Sequence, residues 1–115
     1  MTPAPIAAAA VRPQPTAFVV VSQFVVANGM IEQVKEAFRN RPGLVELAEG
    51  FIRMEVLTPL DCPEEIWLVT WWASRDSYRR WHHGHSYRES HEGIPKGLKL
   101  VKGQTRIREF GRVSC

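Results

Sequence analysis

The sequence predicts an α+β domain with the ferredoxin-like order βαββαβ, an antiparallel sheet carrying its helices on one face. Three observations predict it: segments of β-branched and aromatic residues alternate with two stretches of helical period, an Asn-Gly turn parts the first strand from the first helix, and only a loop parts the two middle strands.

The opening MTPAPIAAAAVRPQPT has a short alanine run, no basic residue ahead of it and scattered prolines. It reads as a disordered tail over residues 1–16, without the pattern of a secretory signal, and a single domain is assigned to 17–115. AFVVVSQFVVANG, Ala17 to Gly29, is a strand closing on Asn28-Gly29. From Met30 to Arg41, Ile31, Val34 and Phe38 recur at helical spacing, with Glu32, Lys35 and Glu36 on the other side, until Pro42-Gly43 stops the pattern. LVELAEG is a short helical turn. FIRMEVLTP sets Ile52, Met54 and Val56 against Arg53 and Glu55, a half-buried strand ended by Pro59, and a loop over Asp61 to Glu65 follows.

IWLVTWW is a nearly continuous apolar β-former, the pattern of a central strand covered on both faces. In SRDSYRRWHH, Ser74 is an N-cap and Asp76 places a carboxylate in the first turn, so a helix runs to about His83, where Gly84 weakens it. A second short helical piece is expected from Ser86 to His91. EGIPKGLKLVKG reads as loop and QTRIREF as the last strand.

At 115 residues and 13.1 kDa the chain suits one domain, and 44% hydrophobic with 23% charged residues is ordinary for a globular protein. No apolar run approaches the roughly 20 residues of a membrane span, so no membrane partner is expected. The net charge of +3 comes from Lys and Arg spread along the chain, without a nucleic-acid motif. That balance suits a small anionic ligand better than a duplex. Cys62 and Cys115 form neither a metal pattern nor a disulfide framework, which points to a reduced, cytoplasmic setting.

WHHGHSYRESH, Trp81 to His91, holds all four histidines of the chain. It admits three readings: a metal chelate, a cofactor pocket, or a histidine-rich helix end. A chelate is disfavoured, because neighbouring helical residues such as His82 and His83 point apart while zinc wants three or four converging ligands. For a pocket, one unbroken helix would hold Trp81 and His91 about 15 Å apart along its axis. A break at Gly84 folds the His91 segment back, so that indole and imidazole address one large, flat cavity.

A strand ending in tryptophans, followed by SRDSYRRWHHGHSYRESH with Trp81 and His91 ten apart, resembles the antibiotic biosynthesis monooxygenase superfamily, and within it the IsdG/HmoA-type haem-degrading monooxygenases. EGFIRMEVLTP is similar to that superfamily's second strand. The resemblance implies a homodimer whose sheets pair into an α+β barrel, with haem as both cofactor and substrate between sheet and helices. It implies His91 as the axial ligand of the haem iron, Trp81 as the indole pressed on the other haem face, and ring opening with O2 and an external electron donor, a reductase or a small reductant. Where members carry an asparagine on the first strand, this chain has Ser22, a donor of shorter reach. Gln23 is adjacent, and strand alternation points it to the opposite sheet face. Trp67, Trp71 and Trp72 are assigned to core or interface, and Arg79, Arg80, Arg88, Lys96 and Lys99 are candidate partners of the haem propionates. Two alternatives stand beside this reading: a cofactor-independent monooxygenase of the same superfamily acting on an aromatic polyketide or quinol, and a non-catalytic haem-binding dimer.

Overall fold

The computed structural model describes residues 18–84, 87 and 93–114. The expected tail lies outside the described residues. In chain order the elements are β1 (Phe18–Val25), α1 (Ile31–Arg39), a single 3-10 turn (Val45–Leu47), β2 (Phe51–Leu57), β3 (Glu65–Trp72), α2 (Arg75–His82) and β4 (Arg106–Gly111). The strands form one sheet in the order β2-β3-β1-β4, and every pairing is antiparallel. This is the ferredoxin-like arrangement the sequence predicts.

Strand alternation divides the sheet into two faces. On the helix side, Val20 and Trp72 join Val45 of the 3-10 turn and Tyr78 of α2 in one buried cluster. Val26 and Ile66 join Ile31 and Val34 of α1 in a second. Burying such side chains contributes about 1.5–3 kcal/mol each, and it draws both helices onto this face. Neither cluster includes Trp67, Val69 or Trp71 of β3, which alternate onto the opposite face. β3 is therefore an interior strand covered on one face by its own helices, while on the other face Val69 is buried and Trp67 and Trp71 are partly buried.

β2 departs from simple alternation. A register shift between Phe51 and Arg53 puts Phe51 against the first cluster and leaves Ile52 49% exposed. The expected inward trio Ile52, Met54 and Val56 is thus Phe51, Met54 and Val56, since the bulge turns Ile52 out. No helix among the described residues is long and apolar enough to cross a membrane.

Candidate functional site

Ser22 lies on the helix face of β1, opposite Leu68 of β3 and Ile107 of β4. Its face neighbours belong to different clusters, Val20 to the first and Phe24 to the edge of the second. Ser22 therefore marks a polar break in the apolar floor. Thr70 sits beside it on β3, accepting a hydrogen bond from Trp72 Nε1 at 2.9 Å and lying 3.5 Å from the Val20 carbonyl. Gln23 pairs with Trp67 and Arg106 on the opposite face, as alternation predicts.

α2 is placed by its start. Ser74 Oγ caps it by accepting from the Ser77 amide at 3.1 Å, as its sequence position predicts. Gly50, at φ +82°, packs so closely that a Cβ there would lie 2.1 Å from Ser77 Oγ. Ala73 donates its amide to the Gly50 carbonyl at 2.7 Å, and Arg80 pairs with Glu49 at 2.9 Å. These contacts fix the helix so that Trp81, one turn beyond Tyr78, is half-buried against the first cluster. Burial raises the Tyr78 hydroxyl pKa above its ordinary value, with Tyr87 and Glu109 adding to the effect.

His82 is stacked on Tyr78 with ring centroids 5.4 Å apart, and His83 is exposed. Among the described residues no three His, Cys, Asp or Glu side chains are grouped to hold a metal. His85, Arg88 and His91, and with them the expected axial ligand and most of the expected second helical piece, lie outside the described residues.

A groove of about 360 Å3 runs between α1 and the β2–β3 side of the sheet. Phe38, Met54, Val56 and Ile66 give it an apolar lining, and Lys35, Arg39 and Arg41 supply cations. Met54 lines the groove and also packs against the first cluster, as Trp81 does. Lys35 pairs with Glu32 at 3.5 Å, Arg39 with Glu36 at 3.3 Å, and Arg41 with Glu46. Arg41 also donates to the Phe38 carbonyl at 3.3 Å, and its Nε is buried without a partner. By helical spacing alone Lys35 belongs to the solvent side, so the sequence does not mark these cations as a site. The available signal was the run of Lys35, Arg39 and Arg41 flanking Phe38, which a helix-dipole explanation also covers.

An apolar floor with a polar break, an indole at its edge and a cationic groove is a setting for a flat, apolar, anionic molecule. The family model described as antibiotic biosynthesis monooxygenase matches residues 17–93, and the chain belongs to that family. This membership supports an oxygenase. The chain is 30% identical over 96 residues to a heme oxygenase (staphylobilin-producing) of Staphylococcus saprophyticus, an alignment covering 74% of this chain and 91% of the relative. Its fold is similar to that of SnoaB, a cofactor-independent oxygenase from Streptomyces nogalater, with a TM-score of 0.70, 16% identity, and coverage of 87% and 96% of the two chains. It is also similar to a MhuD mutant solved with two manganese protoporphyrin IX molecules per active site, with a TM-score of 0.71, 22% identity, and coverage of 85% and 96%.

Proposed function

We propose that this chain is a haem-degrading monooxygenase that binds haem between its sheet and helices, opens the porphyrin with O2 and an external reductant, and releases iron. The observation that carries the reading is an apolar groove bearing Lys35, Arg39 and Arg41 on the sheet face that also carries Ser22, with Trp81 packed against the neighbouring cluster of that face. Haem fits that donor set: its ring needs apolar walls and its carboxylates need cations. Lys35, Arg39 and Arg41 join the basic residues expected from sequence as candidates for the carboxylates. The likeness to a heme oxygenase supports the same choice.

Haem supplies the iron and the redox chemistry when bound; the chain supplies position and polarity. His91 would hold the iron, the Trp81 indole would press on the ring, and the Ser22 hydroxyl would donate a hydrogen bond where oxygen enters. The groove's apolar side chains would line the ring, and Lys35, Arg39 and Arg41 would hold its carboxylates. A homodimer in a cytoplasmic setting belongs to this proposal.

The test is a haem titration of the protein and of His91→Ala, followed by ascorbate in air. The parent should develop a histidine-ligated Soret band that decays after reductant, and His91→Ala should lose both. Equal spectra and decay in the variant would overturn the reading. The likeness in fold to SnoaB favours a second reading, in which an aromatic polyketide or quinol takes the same site without haem. A parent that binds no haem but consumes oxygen with such a substrate would establish it.

A further inference from the structure

Tyr87 has no place in the mechanism above, yet its ring lies within 5.9 Å of Trp81, in an edge-on pair, and within 4.6 Å of His82, centroid to centroid. Had α2 continued past its last residue, positions 81 and 87 would be about 9 Å apart along the axis and on different sides of the helix. The contacts therefore require the chain to reverse. The reversal falls at Gly84. The His83 amide donates to the Arg79 carbonyl and the Gly84 amide to the Trp81 carbonyl, each at 3.0 Å. A Cβ at Gly84 would stand 3.0 Å from the Arg80 carbonyl oxygen and 3.4 Å from that of Trp81, so the turn is made against the last helical carbonyls.

The rings then form a connected set. His82 is stacked on Tyr78 at an interplanar angle of 14°, and Tyr78 packs edge-on against the buried Trp72 at 5.8 Å. Tyr87 is thus linked through His82 to the first cluster and also meets Trp81. Burial raises the Tyr87 hydroxyl pKa above its ordinary value, as a seated ring requires. Edge-on aromatic pairs have preferred geometry, so a seated Tyr87 restricts the angle the indole can take.

We propose that Tyr87 is a positioning residue: its ring, returned by the Gly84 reversal, sets the orientation of the Trp81 indole and moors the chain four residues before His91. The proposal rests on the reading of Trp81 and His91 as the haem-contacting pair. The role proposed is that of the ring.

The experiment uses the full chain as parent, Tyr87→Phe, Tyr87→Ala and Gly84→Ala. In the absence of haem, tryptic cleavage after Arg88 is timed against cleavage elsewhere in the chain. Tyr87→Ala should be cut there at least tenfold faster, and Tyr87→Phe at the parent rate. With saturating haem, Tyr87→Ala should show a shifted Soret band and at least tenfold slower decay after ascorbate, both restored in Tyr87→Phe. Gly84→Ala keeps every ring but crowds the reversal, and should behave like Tyr87→Ala should the latter fold poorly. Parent-like cleavage and spectra in both alanine variants would overturn the proposal, as would a Tyr87→Phe that fails with Tyr87→Ala. A parent that never shows a haem spectrum would overturn the haem reading instead, while the cleavage rates still decide whether Tyr87 moors the segment.

Discussion

The two faces of the sheet are built from the same strands and end in different states. On the helix face, Trp72 is 1% exposed and packed among Val20, Val45 and Tyr78. On the other face its neighbour Trp71 is only half-buried, and the Arg53 guanidinium covers its ring at 3.9 Å. Trp67 on the same face donates its indole N–H to Glu65, and Arg108 lies 5.2 Å over Phe110. Two adjacent tryptophans of one strand are therefore a core residue and a surface residue, divided only by the pleat. The helix face buries its tryptophan under the chain's own elements, whereas the other bears aromatic surface dressed with arginine. Such a face suits association, and a second copy is the occupant the proposed function requires.

The largest effect should come from testing that division directly. Trp72→Ala removes a filled core volume and the hydrogen bond to Thr70, and should cost about 3–5 kcal/mol in urea unfolding. Trp71→Ala loses a cation–π contact and partial burial, and should cost roughly 1 kcal/mol within one chain. Equal losses measured at concentrations where the protein is a single chain would erase the distinction between the faces.

Next in size is the effect of charge on the open face. Light scattering of the parent at micromolar concentration should give the mass of a dimer, and Trp71→Glu should give that of one chain with its far-ultraviolet dichroism kept. A parent of single-chain mass would break the comparison at its root, since the face would then need no partner.

The covered face also carries the tyrosines, and they give a smaller, pH-dependent effect. The folded hydroxyls of Tyr78 and Tyr87 hold their protons above the ordinary pKa of 10.0, chiefly through burial. With the folded pKa raised, stability is fully present below pH about 10 and is lost as pH rises through the folded values. The urea midpoint should therefore fall in that alkaline window, and Tyr78→Phe should flatten the fall.

Much of this was legible in the sequence because it depends on local chemistry. Ser74 caps α2 because a hydroxyl before a helix can accept an orphan amide, and the strand order follows from four short β-rich segments around two helices. The bulge at Phe51 was not legible, since a register shift reflects how the strand meets β3 and leaves no mark on alternation. Arg41 was hidden for a similar reason: a lone arginine after a helix reads as solvated until the 3-10 turn brings Glu46 to it and buries its Nε. Tyr87 went unread because its contacts depend on the Gly84 reversal, and only the need for a break was visible. Of the three residues the resemblance names, Ser22 lies on the sheet face against which Trp81 of α2 packs, and His91 lies outside the described residues.

The smallest change in stability should give the finest test, because Ser22 and Gln23 are consecutive and face opposite ways. Ser22→Ala keeps the strand and removes one half-buried hydroxyl, so unfolding should shift by only about 0.5 kcal/mol. Under the proposed function haem affinity should also hold, since the apolar walls and cations that would bind the ring are left alone by the substitution. The decay of the Soret band after ascorbate should slow by roughly 10–100-fold, since a hydrogen bond made only after oxygen enters lowers the barrier without strengthening haem binding. Gln23→Ala, on the open face beside Trp67 and Arg106, should leave that decay at the parent rate. Running the two variants side by side separates a polar group in the site from a polar group merely on the strand. If Gln23→Ala slows decay and Ser22→Ala does not, the reaction uses the face away from the helices, and the placement of haem between sheet and helices is wrong.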